Sequence, residues 1–286
     1  MSRTVFVNGA YLPEEEASVS IFDRGYVFGD GVYEVATVLD GMLVDSPRHK
    51  WRLENSLSEL NIPMPMPWEE IEEMERELIR RNNLDQGMVY FQVTRGVADR
   101  KFSYTPGALT PTISAFTQES PVDPDPRAET GVAVVTCPDI RWQRRDIKSI
   151  ALLGQVLAKQ VAAEAGAYEA LMIEDGFVTE GSSSSAFIVD AAGNLIVRPG
   201  GGTDILPGLT RMAMLELAEQ CQVKIIERRF TAEEFYGAKE AFLTSASAFV
   251  MPVVKADEHE IGNGKPGALT LKLRQLMIDT ARETLT

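Results

Sequence analysis

Histidine and cysteine are scarce in this chain, two of each among 286 residues, and that scarcity removes whole classes of chemistry. There is no H-E-x-x-H helix, no paired C-x-x-C and no Walker glycine loop, so zinc and nucleotide chemistry find no support. Neither His49 nor His259 is placed to serve a nucleophilic serine, and Glu180-Gly181-Ser182-Ser183-Ser184 is not a G-x-S-x-G elbow, which argues against a serine triad. The run Pro199-Gly200-Gly201-Gly202-Thr203 lacks the strand, spacing and helix of a dinucleotide fingerprint and reads as a loop. Cys137 and Cys221 each lie beside an apolar run. One disulfide or two lone buried thiols are open, and thiols in a reduced cytoplasm are the simpler expectation.

Basic charge is also in short supply. Lys and Arg total 28 against 42 Asp and Glu, a net charge of −14. No nucleic acid partner is expected, because binding one needs a basic face to neutralise phosphates. A few local arginines can still hold a small anion. Long apolar runs are missing too: none approaches the ~18 residues of a membrane span, and the run in MSRTVFVNGAYLPEEE is too short for a secretion signal, so no membrane partner is expected.

What is present is ordinary globular material, 44% hydrophobic and 24% charged, in a chain long enough for two domains, each with a core. Thr4 to Val7 with Asn8-Gly9 reads as strand and tight turn, and Glu34 to Asp45 as a hairpin about Asp40-Gly41. Between them DRGYVFGDGVYEV (23–35) reads by default as a glycine-kinked strand. Pro47 to Leu60 and Trp68 to Asn83 read as helices. The second carries Ile71, Met74, Leu78 and Ile79 at helical spacing, with acids early and Arg80-Arg81 late, as the helix dipole favours.

Met88 to Val93 alternates like a strand, and Thr94 to Pro106 reads as a loop. Pro121, Pro124 and Pro126 interrupt QESPVDPDPRAET (118–130), a boundary stretch that favours extended chain over a helix or central strand. It divides a first α+β domain (1–120) from a linker (121–129) and a second domain (130–286) containing Lys148. A cleft between domains is the expected place for a ligand. In the second domain Ala186 to Asp190 and Leu195 to Arg198 form a hairpin. A helix spans Met212 to Cys221, Val223 to Arg228 and Glu240 to Thr244 are strands, and Ala232 to Tyr236 is a short helix. A last helix begins after Pro266, with Leu271, Leu273, Leu276 and Met277 packing inward.

The centre of the chain runs from Arg141 to Ser185. Lys148 follows the β-branched run Val132 to Thr136 and an arginine-rich connection, and precedes an amphipathic helix that starts near Ala151. A desolvated lysine there has a lowered pKa and can attack a carbonyl. Glu180 follows a strand, Ala170 to Val178, and opens a turn of small residues. A carboxylate there can pair with a protonated ring nitrogen, and the small residues let backbone and hydroxyls approach a ligand.

These runs together resemble a known family. DRGYVFGDGVYEV (23–35), YFQVTRG (90–96), DIKS (146–149), ALLGQVLAKQ (151–160) and TEGSSS (179–184) occur in the order found in the pyridoxal-phosphate enzymes of fold-type IV, and most resemble the D-amino-acid (D-alanine) aminotransferases. That group also holds branched-chain aminotransferases and aminodeoxychorismate lyases. The resemblance covers nearly the full length. It implies an α+β and α/β architecture with a smaller N-terminal α+β domain and a larger C-terminal β-barrel-like domain with helices. It also implies a cytoplasmic homodimer that uses pyridoxal 5'-phosphate.

The resemblance carries roles onto particular residues. Lys148 would hold the cofactor covalently and then shuttle a proton, Glu180 would face the ring nitrogen, and Tyr33 would line the site near the lysine. Arg52 would grip the phosphate with its planar fork. Leu209, Thr210, Ser245 and Ala246 would complete a phosphate cup at a helix start and a serine-rich turn. Ser183 would contact the cofactor and Leu206 would pack on its ring. Arg100 aligns with the arginine that takes the substrate carboxylate, but Phe102 stands where the family has a histidine. A phenyl ring donates no hydrogen bond, so the trap loses a donor and gains apolar surface, which can change selectivity considerably. Arg95 and Lys101 are the nearby cations that could compensate. The implied reaction transfers the amino group of D-amino acids such as D-alanine or D-glutamate to 2-oxo acids by ping-pong kinetics. An (R)-amine transaminase, a branched-chain transaminase or an aminodeoxychorismate lyase of the same fold is the alternative.

Overall fold

In the computed structural model, which describes residues 2–285, the chain divides into two compact units. Residues 2–122, 147–151 and 281–285 make one, and residues 123–146 and 152–280 the other.

In the first unit β1 (Thr4–Val7) turns through Asn8-Gly9, both left-handed, into β2 (Ala10–Pro13). There follow α1 (Arg24–Phe28), β3 (Gly31–Leu39), β4 (Met42–Leu43), α2 (Ser46–Glu59), α3 (Trp68–Asn82), β5 (Gly87–Thr94) and β6 (Thr112–Glu119). Among the described residues the strands form one antiparallel sheet in the order β2-β1-β6-β5-β3-β4. Ile71, Met74, Leu78 and Ile79 of α3 are buried against Leu53 and Leu57 of α2 and Val89 and Phe91 of β5. Each such side chain contributes roughly 1.5–3 kcal/mol of transfer free energy. The glycine-rich run 23–35 is not a kinked strand throughout. The Asp23 carboxylate accepts from the Gly25 N–H and starts α1, and left-handed Gly29 ends it before β3 begins. A helix of one turn leaves no periodicity for a sequence to display.

In the second unit α4 (Pro126–Thr130) corrects the expectation of extended chain through residue 130. Asp125 caps it, and Pro126 takes the first helical position, where its missing N–H is no loss. The unit continues through β7 (Val132–Pro138), α5 (Leu153–Glu164), β8 (Glu169–Glu174), β9 (Phe177–Gly181), β10 (Ser185–Val189) and β11 (Leu195–Val197). After these come α6 (Leu209–Gln220), β12 (Ile225–Glu227), α7 (Ala232–Tyr236), β13 (Glu240–Ser245), β14 (Phe249–Ala256), β15 (His259–Glu260) and α8 (Ala268–Glu283), whose residues from Ala281 on are grouped with the first unit. Among the described residues the sheet runs β12-β11-β10-β13-β14-β7-β8-β9, with β15 on β14, and it curls as a half-barrel. Leu171, Val178, Ile188, Phe235, Leu243 and Met251 lie in its core.

Several sequence expectations need correction here. Ala170 to Val178 is not one strand, because Asp175 and Gly176, at φ 52° and 81°, turn it into the hairpin β8–β9. Glu180 therefore lies within β9 rather than after a strand. α6 begins at Leu209, three residues before the expected Met212. Strand β14, a stretch without a reading above, pairs with β13 on one side and β7 on the other although it contains Pro252, a residue that argues against a central strand. Leu273 and Met277 of α8 are buried as expected, but Leu271 is exposed.

Ile147–Ala151, expected with the second domain, groups with the first unit. Backbone pairing explains it: the Tyr33 N–H donates to the Lys148 carbonyl at 2.9 Å, and the Ile150 N–H to the Gly31 carbonyl at 3.1 Å. Both cysteines are free, Cys137 buried and Cys221 half-buried. No helix of the described residues is long and apolar enough to cross a membrane.

Candidate active site

On the first unit the candidate site is built on β3. Segment 147–151 lies along its start, tied further by the Lys148 N–H donating to Ser56 Oγ at 3.2 Å. Glycine makes the approach feasible. A Cβ on Gly31 would lie 2.6 Å from the Val93 carbonyl oxygen and 3.0 Å from Ile150, and one on Gly29 would press on Ala151 at 3.2 Å. Gly29 and Gly31 therefore seat the lysine segment. Lys148 Nζ stands 4.2 Å from the centroid of the Tyr33 ring, and among the described residues it makes no ion pair or hydrogen bond. Tyr33 stacks on Tyr90, and Tyr90 on Phe116, so its ring is held by an aromatic column across β3, β5 and β6.

Arg52 is buried, with its fork filled by a protein carboxylate. Nε donates to Glu34 Oε1 at 2.8 Å and Nη2 to Oε2 at 2.7 Å, while His49 Nδ1 lies 2.7 Å from Oε2. Burial works to raise the Glu34 pKa, but Arg52 and His49 outweigh it and hold the carboxyl far below the usual range. The two-oxygen grip on a phosphate expected of this fork is thus taken by Glu34.

Arg95 is equally committed. It bonds Asp30 through Nε at 2.8 Å and Nη2 at 3.0 Å, and reaches the Leu60 and Asn61 carbonyls. Arg24 shares Asp30 at 2.7 Å and holds the Lys101 and Phe102 carbonyls, fixing that loop. Arg95 is therefore not a spare donor for the missing histidine. Arg100 is exposed, its guanidinium over the rings of Phe28 and Phe102, and Phe102 is 79% exposed.

On the second unit Glu180 is buried in β9. Its Oε1 accepts from Arg141 Nη1 at 2.5 Å and, weakly, from the Leu206 N–H at 3.4 Å, and both bonds fall on that one oxygen. Burial pushes the Glu180 pKa up, and Arg141 offsets part of the rise. The serine turn after it faces inward: the hydroxyls of Ser182, Ser183 (3.0 Å) and Ser184 (3.3 Å) all donate to buried Glu169. Ser183 thus spends its hydroxyl on Glu169, which leaves its backbone for any ligand.

Helix α6 opens at Leu209 and Thr210 after Gly208, with no side-chain cap on its first N–H groups. A Cβ on Gly208 would lie 2.9 Å from Ser185 Oγ, and Ser185 pairs with Thr244 in the sheet. Thr244 Oγ1 is buried without a partner among the described residues. Ser245 Oγ lies 3.3 Å from Ser247 Oγ in the turn that follows β13, which also holds Ala246. Sequence reasoning missed Arg141, Asp139, Glu169 and the Glu34–His49 pair. Only Asp139-Ile140-Arg141, an acid and an arginine two apart beside the marked stretch, carried a signal that could have been read.

A family model described as Amino-transferase class IV matches residues 31–256. The chain is 42% identical over 267 residues to a D-alanine aminotransferase of Bacillus licheniformis, covering 93% of each chain. It is 40% identical over 271 residues to a D-alanine aminotransferase of Staphylococcus epidermidis, covering 95% of each. In structure it is similar to the branched-chain amino acid aminotransferase of Thermobaculum terrenum, solved in its PLP form (holo form). That TM-score is 0.84 at 25% identity, over 100% of this chain and 98% of that one. With most of its length matched by the family model and by relatives at this identity, the chain belongs to the class IV amino-transferases.

Proposed function

We propose that the chain is a pyridoxal-phosphate transaminase that moves the amino group of D-amino acids, of the D-alanine and D-glutamate type, to 2-oxo acids. The observation that carries this reading is identity of 42% with a D-alanine aminotransferase over 93% of both chains. The donor set fits the cofactor. Lys148 presents an amine free of any carboxylate, and Glu180 keeps Oε2 clear of its protein bonds. Thr244 Oγ1 is a buried hydroxyl without a partner among the described residues, next to the Ser185–Gly208 contact at the start of α6.

When bound, the cofactor supplies an electron sink for the substrate α-carbon. Lys148 would bind it through Nζ and, once released, move the proton to and from that carbon. Glu180 Oε2 would accept from the ring N–H. The N–H groups of Leu209 and Thr210 and the turn at Ser245 and Ala246 would hold the phosphate, with Arg52 adding positive charge from its pairing with Glu34. Leu206 would pack on the ring, and Ser183 would line the turn beside it. Tyr33 would donate to the substrate, Arg100 would pair with its carboxylate, and Phe102 would offer apolar surface where a donor is lost.

We assign the enzyme to the cytoplasm, in keeping with its two free thiols. It acts as a homodimer, because α5 buries only Ala158 and Ala162 and turns Leu153, Val156, Leu157 and Val161 outward. An apolar helix face of that kind marks an interaction surface.

A donor panel of D-alanine, L-leucine, an (R)-amine and aminodeoxychorismate, run with pyruvate and 2-oxoglutarate, tests the function. D-alanine is expected to lead, with the parallel-line kinetics of a ping-pong enzyme; faster turnover of L-leucine contradicts it. The exposed Phe102 favours (R)-amines as a second donor class. Arg100→Ala is expected to lower kcat/KM for D-alanine roughly tenfold or more, the usual scale for a charged hydrogen bond, and to leave an (R)-amine unaffected.

A further inference from the structure

We propose that Arg141 is a positioning residue that keeps Glu180 ionised, so that the proton shared between Glu180 and the ring of a bound cofactor stays on the ring nitrogen. This rests on the role given to Glu180 above.

A carboxylate as buried as Glu180, 5% exposed, takes up a proton unless a fixed positive charge opposes it. Arg141 is that charge, with Nη1 2.5 Å from Oε1. Three contacts with Asp139 prevent it from swinging away. Its Nε donates to Oδ1 at 3.0 Å, its Nη2 to Oδ2 at 2.7 Å and its backbone N–H to Oδ1 at 3.1 Å. Asp139 is fixed in turn by Thr179 Oγ1 at 2.7 Å, and it stands 3.5 Å from Arg145. Thr179 immediately precedes Glu180 on β9, so one strand carries both the carboxylate and a clamp on its counter-charge. The stem of Arg141 passes Gly154, where a Cβ would come within 2.9 Å of its Cγ.

The charged groups that bear on Glu180 are Arg141, Asp139 and Arg211. Although burial opposes it, Arg141 holds the Asp139 pKa down to about 2, so Asp139 remains an anion and Arg141 remains paired throughout the working range. A guanidinium does not deprotonate in proteins, so the arrangement is insensitive to pH. Removing the charge makes Glu180 the better base. One proton then moves from the ring nitrogen to Glu180 Oε2, with no net gain or loss.

The test loads the enzyme with pyridoxal phosphate isotope-labelled at the ring nitrogen and follows that nitrogen by NMR as pH is raised. Wild type is expected to keep the ring proton across the neutral range. In Arg141→Met and Arg141→Gln the protonated-nitrogen signal should be lost already at neutral pH and replaced by that of an unprotonated ring, because the proton has crossed to Glu180 without leaving the pair. Arg141→Lys should restore the wild-type titration. Glutamine keeps a hydrogen bond without charge, and so separates an electrostatic role from a merely structural one. A wild-type titration in either neutral variant overturns the proposal while leaving the role of Glu180 standing. An unchanged signal in Glu180→Gln shows instead that Glu180 does not face the ring, and both assignments fall.

Discussion

At the residue scale, Glu75 of α3 is a buried carboxyl that no proposed step uses. It is 1% exposed, and its Oε1 has no partner among the described residues. Burial, and then Glu34 and Glu72, push its pKa well above the ordinary 4.5. The fold therefore holds a proton that the unfolded chain releases above 4.5, and stability falls as pH rises past that value. Glu75→Gln removes this linkage. Its urea midpoint near neutral pH is expected to exceed that of wild type, and the difference should vanish at a pH below 4.5; an equal or lower midpoint at neutral pH contradicts it. Residue identities such as Lys148, Glu180 and Tyr33 were legible because they sit in runs that resemble a family. Their partners were not. Glu34 meets Arg52 across a separation of 18 residues, and Arg141 meets Glu180 across 39, distances over which sequence carries no sign of contact.

At the scale of elements, the glycines before β3 decide where the lysine lies. Gly31→Ala places a Cβ 2.6 Å from the Val93 carbonyl. The expected cost is about 1–3 kcal/mol, as for overpacking elsewhere, together with a displaced Ile150 two residues from Lys148. Gly202→Ala, where nothing lies within 4 Å, serves as the control and should stay within about 0.5 kcal/mol of wild type. Equal stability of the two variants in chemical denaturation would refute the packing argument. Long periodic elements such as α3 were readable, since burial on one face repeats along them. The hairpin β8–β9 had a local signal, the polar turn Glu174-Asp175-Gly176 between two apolar runs, which the reading of one strand passed over, while β14 contains Pro252, a residue that argues against a central strand.

At the scale of the whole molecule, the two compact units divide between Val122 and Asp123, inside the proline-rich stretch 118–130. Nothing local in DIKS showed that the lysine segment pairs with β3, because that pairing joins residues more than a hundred positions apart. The outward apolar face of α5 makes a further expectation: light scattering should give twice the 31.5 kDa chain mass. Leu153→Glu with Val156→Glu should then shift the enzyme toward monomer; a monomeric wild type would remove the homodimer.

The covalent role of Lys148 underlies the rest, and borohydride reduction of the cofactor-loaded enzyme followed by peptide mapping tests it most directly. The label is expected on the peptide that carries Lys148, and to be lost in Lys148→Ala. Label on a different lysine, or on none, would contradict it.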